Sequence, residues 1–237
     1  ALEALNSNKH VFVEKPLSTN SKEVRHLFTV ARNKNLNLFV GYIFTTSKIL
    51  AHLKLVSTKD PITRISMNWS KYGSFEEDLF ENLLSHELSI IYNLLGSDLK
   101  TVKIVEAIGV KSEMDIVNLK IEFINSQKII IKINRASETQ RKESFFKTFA
   151  GIQYKWFGDE LYFEENGKDK IMKDYKNKLG VEINTFLEQT ESGVYSYDEG
   201  LNLFISETIT RISDDYQSLY AIRGMKIKTS ITYKDTI

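Results

Sequence analysis

Two short stretches hold residues whose types and spacing could do chemistry. The first is "HVFVEKPLSTNSKE", residues 10–23. Val11-Phe12-Val13 is a continuous apolar run, as expected of a strand buried on both faces. It ends on Glu14-Lys15, with Pro16 turning the chain. Ligands of an open α/β sheet bind beyond the carboxyl ends of its strands. Lys15 and Glu14 would therefore sit at that edge. The second stretch is "EEDLFENLLSHELSIIYNLLG", residues 76–96. Leu79, Phe80, Leu83, Leu84, Leu88, Ile91, Leu94 and Leu95 form an apolar face. Asp78, Asn82, His86, Ser89 and Asn93 form a second stripe at helical spacing. A solvated helix face usually carries Lys and Glu. This stripe is mostly small, neutral and hydrogen-bonding, with one imidazole that titrates near neutrality. It suits the wall of a cleft; the alternative is a surface helix whose His caps a neighbour.

Other chemistries find no residues. The chain has no cysteine, which removes disulfides, thiolate nucleophiles and Cys-bound zinc, and fits a reducing cytoplasmic setting. His10, His26 and His52 have no partners at ligand spacing, so no metal site is expected. Neither a G-x-S-x-G elbow nor a Walker loop is present. The net charge of +1 gives no clustered basic footprint for nucleic acid. No apolar run is long enough to span a bilayer.

These side chains need elements to hold them. Residues 1–5 read as the tail of a helix. A helix that Ser18 or Thr19-Asn20 can cap follows, its apolar face carrying Val24, Leu27, Phe28 and Ala31. "NLNLFVGY" (35–42) is a second buried strand. Helix, strand, helix, strand implies parallel pairing with a right-handed crossover. After residue 44 the pattern changes. A helix (46–57), a strand (62–69) and the striped helix (78–95) lead into alternating strands. In "DIVNLKIEF" Ile116, Leu119, Ile121 and Phe123 fall mostly on period two, followed by "IIIKIN", "SFFKTFAG" and "QYKWFGDELYFEE". Gly158-Asp159 marks a hairpin. Helices over 180–191 and 198–217 follow, the latter with Leu201, Phe204, Ile205, Ile209 and Ile212 inward. "MKIKTSI" is expected as an edge strand.

The motifs "HVFVEKPLSTNSKE", "LFVGY" and "LLSHELSIIYNLLG", in this order and spacing, resemble the Gfo/Idh/MocA family of nicotinamide-dependent oxidoreductases. The closing helix "YSYDEGLNLFISETITRI" is similar as well. The resemblance implies the C-terminal part of a Rossmann-type parallel α/β domain over residues 1–44. An α+β substrate-binding and oligomerisation domain, built on a large, mostly antiparallel open sheet, would occupy 45–237. It implies NAD or NADP as cofactor, with Glu14, Lys15 and Pro16 beside it, and a sugar, polyol or related CH–OH substrate. Lys15 would stabilise the reacting oxygen, and His86 would accept its proton. Asn82 stands where the family usually has Asp; it can hydrogen-bond substrate or His86 but cannot take a proton as a carboxylate does. The chain starts at Ala1, with no G-x-G-x-x-G turn for a pyrophosphate. The reading is therefore of a C-terminal portion. A non-catalytic relative acting as a binding or dimerisation module is the alternative. Both phases of the later strands carry apolar residues, and helices cover one face, so a homodimer or higher assembly through the open sheet is expected.

Overall fold

The computed structural model describes residues 1–223. Its first elements follow the expected order: α1 (Leu2–Asn6), β1 (Val11–Glu14), α2 (Ser21–Asn33) and β2 (Leu38–Gly41). The two strands pair in parallel, Val11 with Leu38 through Glu14 with Gly41. Asn20 caps α2 by accepting from the Lys22 N–H, satisfying one of the first-turn amides that have no helical partner. Val24, Leu27, Phe28 and Ala31 are buried, as their spacing requires. β2 is buried throughout, but in β1 Phe12 and Val13 are only half-buried.

The second part is one eight-stranded sheet in the order β10-β9-β8-β7-β3-β6-β5-β4. The strands are β3 (Ile62–Tyr72), β4 (Leu99–Ile108), β5 (Ile116–Phe123), β6 (Lys128–Asn134), β7 (Ala136–Thr148), β8 (Gln153–Phe157), β9 (Glu160–Glu165) and β10 (Lys168–Lys173). Every pairing is antiparallel except β3 with β6. The sheet is mostly antiparallel and open, as the strand patterns imply. One face carries α3 (Lys48–Lys59), α4 (Ser85–Leu95) and α6 (Glu199–Arg223), while α5 (Lys178–Ser192) docks on the parallel pair through Phe186.

Side-chain alternation fixes which residues meet the helices. Ile129, Ile131 and Ile133 are fully buried, whereas Ile130 between them is 40% exposed. In β5 the core phase is Val117, Leu119, Ile121 and Phe123. Ile116 falls in the opposite phase and is half-buried on the other face. Burying each large aliphatic side chain contributes roughly 1.5–3 kcal/mol. A single charge at Ile131 would therefore break the core, not merely roughen a surface. The hairpin at Gly158-Asp159 forms, with Phe157 opposite Glu160. A further strand, β10, extends the sheet through Asn166 and Gly167, both at positive φ. That Asn-Gly pair is the sequence signature of a two-residue hairpin. The closing helix buries Leu201, Phe204, Ile205, Ile209 and Ile212 as expected. The edge strand expected over Met225–Ile231 lies outside the described residues.

Candidate functional site

The helix carrying His86 does not begin as an α-helix. Phe80–Leu84 form one wide π turn, in which the Ser85 N–H bonds to the Phe80 carbonyl five residues back. Asp78 starts it, its carboxylate accepting from the N–H groups of Phe80 and Glu81. Where a wide turn returns to α geometry, one carbonyl is left without an amide. Such turns recur at functional sites. Two carbonyls of this turn take side-chain donors: that of Glu81 accepts from Ser85 Oγ at 2.6 Å and from Lys15 Nζ at 3.2 Å, and that of Asn82 from Lys15 Nζ at 2.5 Å. The strand-end lysine thus crosses from the parallel pair to the helix of the second part. A cis peptide joins it to Pro16. Glu14 is exposed beside it, and Lys15 itself is half-buried.

His86 stands within reach of the Lys15 charge, one helical turn beyond Asn82. Its imidazole packs edge-on to Phe44 (5.5 Å between centroids) and tilted against Trp69 (5.7 Å). Its Nδ1 is enclosed without a hydrogen-bond partner. Burial, followed by the charges of Lys15, Lys142 and Lys71, holds His86 well below the usual imidazole range. The imidazole is therefore neutral at pH 7. Burial also lowers Lys15, opposed by the charges of Glu14, Glu77 and Glu81.

The rest of the stripe divides. Asn82 meets Lys15 through its backbone carbonyl and not through its amide. Ser89 turns its hydroxyl onto the His86 carbonyl, and Asn93 bonds the Ser89 carbonyl and Lys54 on α3. Ser89 bonds within its own helix, and Asn93 also ties that helix to α3. The other histidines are placed elsewhere: His10 accepts from the Asn37 N–H, His52 packs on Tyr154 and Phe163, and His26 is exposed.

Five residues around His86 escaped the sequence reading: Phe44, Trp69, Lys71, Glu87 and Lys142. Trp69 and Lys142 are opposed across β3 and β7, and both face the helices. Lys142 Nζ lies 3.5 Å above the Trp69 ring and 4.5 Å from that of Phe44, and it pairs with Glu87 Oε1 at 2.5 Å. Lys71, two residues past Trp69 on β3, donates to Ser74 Oγ. The available signal was period two: Met67, Trp69 and Lys71 share one phase of β3, and Lys142, Ser144 and Phe146 one phase of β7. Lysines in a core-facing phase mark a cleft at the end of a sheet.

The loop before the π turn is anchored from below. Arg135, 4% exposed, donates to Asp115 at 2.9 Å, to the carbonyls of Ser74, Glu77 and Met114, and to Ser112 Oγ. Asp115 also accepts from the N–H groups of Val110, Lys111 and Ser112. Against desolvation, the Ser112 hydroxyl, which donates to it at 2.6 Å, and these N–H groups hold its carboxyl well below the ordinary range. A fully satisfied buried pair of this kind fixes geometry. It sets where residues 74–78 deliver the chain to the helix start.

The site can be compared with known proteins. Residues 1–42 match the family model described as "Oxidoreductase family, NAD-binding Rossmann fold" of the Gfo/Idh/MocA group. No curated protein matches the chain. Among solved structures, the fold is similar to UDP-N-acetylglucosamine 3-dehydrogenase from Acidithiobacillus ferrooxidans, at TM-score 0.81 and 14% identity, over 90% of this chain and 72% of that one. It is also similar to a 3-ketoreductase from Actinomadura kijaniata in complex with NADP, at TM-score 0.75 and 14% identity, over 90% and 72% of the two chains. A dehydrogenase (MviM) from Clostridium difficile gives TM-score 0.71 and 19% identity over 92% and 74%. At these identities the structures speak to fold. Residues 1–42 thus resemble the NAD-binding Rossmann fold of the Gfo/Idh/MocA group, and nine-tenths of the chain shares its fold with the solved dehydrogenase and ketoreductase structures named above.

Proposed function

We propose that the chain carries the substrate-binding and proton-transferring part of an NAD(P)-dependent oxidoreductase that acts on a CH–OH group of a sugar or polyol. The observation that carries this reading is the meeting of Lys15 with the π turn that leads to His86. The division proposed is residues 1–44 for the nucleotide side and 45–237 for the substrate side. Glu14, Lys15 and Pro16 are assigned to the nicotinamide end of the cofactor. The donor set suits it: an exposed carboxylate for ribose hydroxyls beside an ammonium for an oxygen. The glycine-rich turn that would hold the pyrophosphate is not among these 237 residues. When bound, the nicotinamide supplies the hydride acceptor or donor.

The chain's own residues supply the rest. Lys15, steered by two carbonyls, presents its remaining proton to the reacting oxygen and stabilises alkoxide charge as it develops. Neutral His86 accepts the hydroxyl proton in the oxidative direction and returns it in the reductive one. Asn82 sets the position of Lys15 through its carbonyl and offers its amide to substrate or to His86. The similarity of the fold to enzymes named for nucleotide-sugar and keto-sugar chemistry supports a sugar substrate. A cytoplasmic setting belongs to the same reading, in line with the cysteine-free composition.

The open sheet face supports a second role, association with another copy. Ile130 (40%), Phe145 (40%), Phe157 (44%) and Tyr162 (36%) remain exposed on it. A monomer rarely leaves so many large side chains together on one face. A non-catalytic relative using this face is the competing reading, and the absence of a carboxylate at Asn82 favours it. Cofactor titration and turnover of UDP-sugars and polyols by the complete gene product separates the two. Cofactor-dependent oxidation or reduction supports the enzyme, and a protein that dimerises but binds neither NAD nor NADP refutes it.

A further inference from the structure

The pair beneath His86 has no part in the chemistry above. Lys142 and Glu87 are 2.5 Å apart, with the Glu87 side chain 1% and the Lys142 side chain 21% exposed. Withdrawing both charges from water costs several kcal/mol per ion, and apolar residues would fill such a place at least as stably. The pair's surroundings indicate what it does there. The ammonium lies 3.5 Å from the Trp69 ring centroid and 4.5 Å from that of Phe44, and these same two rings pack against the imidazole. Phe44 is held in turn by Trp156 on β8, with rings 5.8 Å apart. The two aromatic rings thus touch both the lysine and the histidine.

The electrical arrangement points the same way. The charged groups bearing on His86 are Lys15 from the end of β1, Lys142 from β7 and Lys71 from β3. On its own helix, the carboxylate of Glu87 is drawn to Lys142, and Asp78 caps the π turn. Asn82, one turn before the histidine, carries no charge. An imidazole that is to take a proton must start neutral and must be held at a fixed angle.

We propose that Lys142 is a positioning residue for His86: pinned by Glu87, it orders the Trp69 and Phe44 rings around the imidazole and keeps that imidazole uncharged and ready to accept a proton. The inference rests on His86 as the proton acceptor, but its link to Lys142 can be read without turnover. The His86 Cε1–H resonance of the full chain, assigned by its loss in His86→Asn, is followed from pH 8 to 5.5. It should not move in the wild type. In Lys142→Gln, which keeps a hydrogen bond to Glu87 but removes the charge, it should begin to titrate within that window. Lys142→Arg should restore the wild-type behaviour. A wild-type His86 that titrates in the ordinary range overturns the proposal even if Lys142→Gln does not fold. So does a folded Lys142→Gln whose His86 behaves as in the wild type. In the complete gene product, the acid limb of kcat/KM should move with the same variants. An inactive gene product with the expected resonance shifts would sink the oxidoreductase reading and leave the Lys142–His86 link standing.

Discussion

Lys15, at the carboxyl end of a parallel strand, donates a 2.5 Å hydrogen bond to the backbone carbonyl of Asn82, one turn before His86 on a helix of the other part of the fold. A side chain would be an uncertain target for such a bond, since it can rotate away. A backbone carbonyl within the π turn cannot. The strand end and the helix are thereby held at one distance, and a group lodged between them meets an ammonium and a neutral imidazole together.

The Arg135–Asp115 pair should be the most sensitive polar contact in the fold. Arg135→Ala leaves a buried carboxylate without its cation and frees the 74–77 carbonyls, so a loss of roughly 3–5 kcal/mol is expected, read from urea unfolding. The sign of the acid dependence follows from Asp115, whose folded-state value is depressed. Its stabilisation is present above the ordinary carboxylate range and is lost as pH falls below about 4 toward the folded value. Replacing Asp115 with Asn should flatten that part of the acid limb. An unchanged limb would remove Asp115 from the account.

Glu182 predicts the opposite slope. It is fully buried on α5 against Phe12 and Gly41, with both carboxyl oxygens unpartnered. Burial, then the nearby Glu14 charge, push it up to about 7. A raised folded value means stability is greatest below the unfolded value and declines as pH rises through about 7. Glu182→Gln should stabilise the protein at pH 8, by on the order of 2–3 kcal/mol, and leave it little changed at pH 4. Thermal melts at the two pH values check this; equal effects at both would contradict it.

Association through the open face is tested by single charges at Ile130 and Phe145. Ile131, one residue along, is wholly buried and would report only on folding. Sedimentation should show a wild-type dimer that Ile130→Lys or Phe145→Lys dissociates while thermal stability is retained. A wild-type monomer, or a dimer indifferent to both charges, would rule the surface out.

The chain as given should bind dinucleotide weakly. Its parallel pair offers the strand ends but no helix N-terminus with a glycine-rich turn for the pyrophosphate. Calorimetry with NAD and NADP should show no micromolar binding to residues 1–237. Micromolar affinity would mean that another part of this chain holds the phosphates.

How far the sequence could be read depended on range. The parallel pair was legible because apolar runs and caps are local: Val24, Leu27, Phe28 and Ala31 repeat at helical spacing, and Asn20 caps them. Lys15 and His86 stood out because their types clash with a strand end and a helix face. Ser89 and Asn93 looked like members of the same cleft, yet they bond along the helix, since spacing alone does not say which neighbour lies opposite. The π turn was not legible, because an added residue per turn leaves the apolar pattern of Leu79–Leu84 intact. Trp69, Lys142 and Glu87 were missed for a similar reason. They come from strands and a helix far apart in the chain, and only pairing of β3 with β7 puts Trp69 opposite Lys142. β10 could have been found from Asn166-Gly167.

The account turns on Lys15 acting with His86 on one bound substrate. The direct measurement is kcat and cofactor affinity of Lys15→Ala in the complete gene product, beside the wild type. Because the lysine's hydrogen bond should strengthen as alkoxide charge develops, kcat should fall roughly 10²–10³-fold with NAD(P)H affinity changed far less. An equal loss in both would make Lys15 a cofactor-holding residue, and an unchanged kcat would remove it from the chemistry.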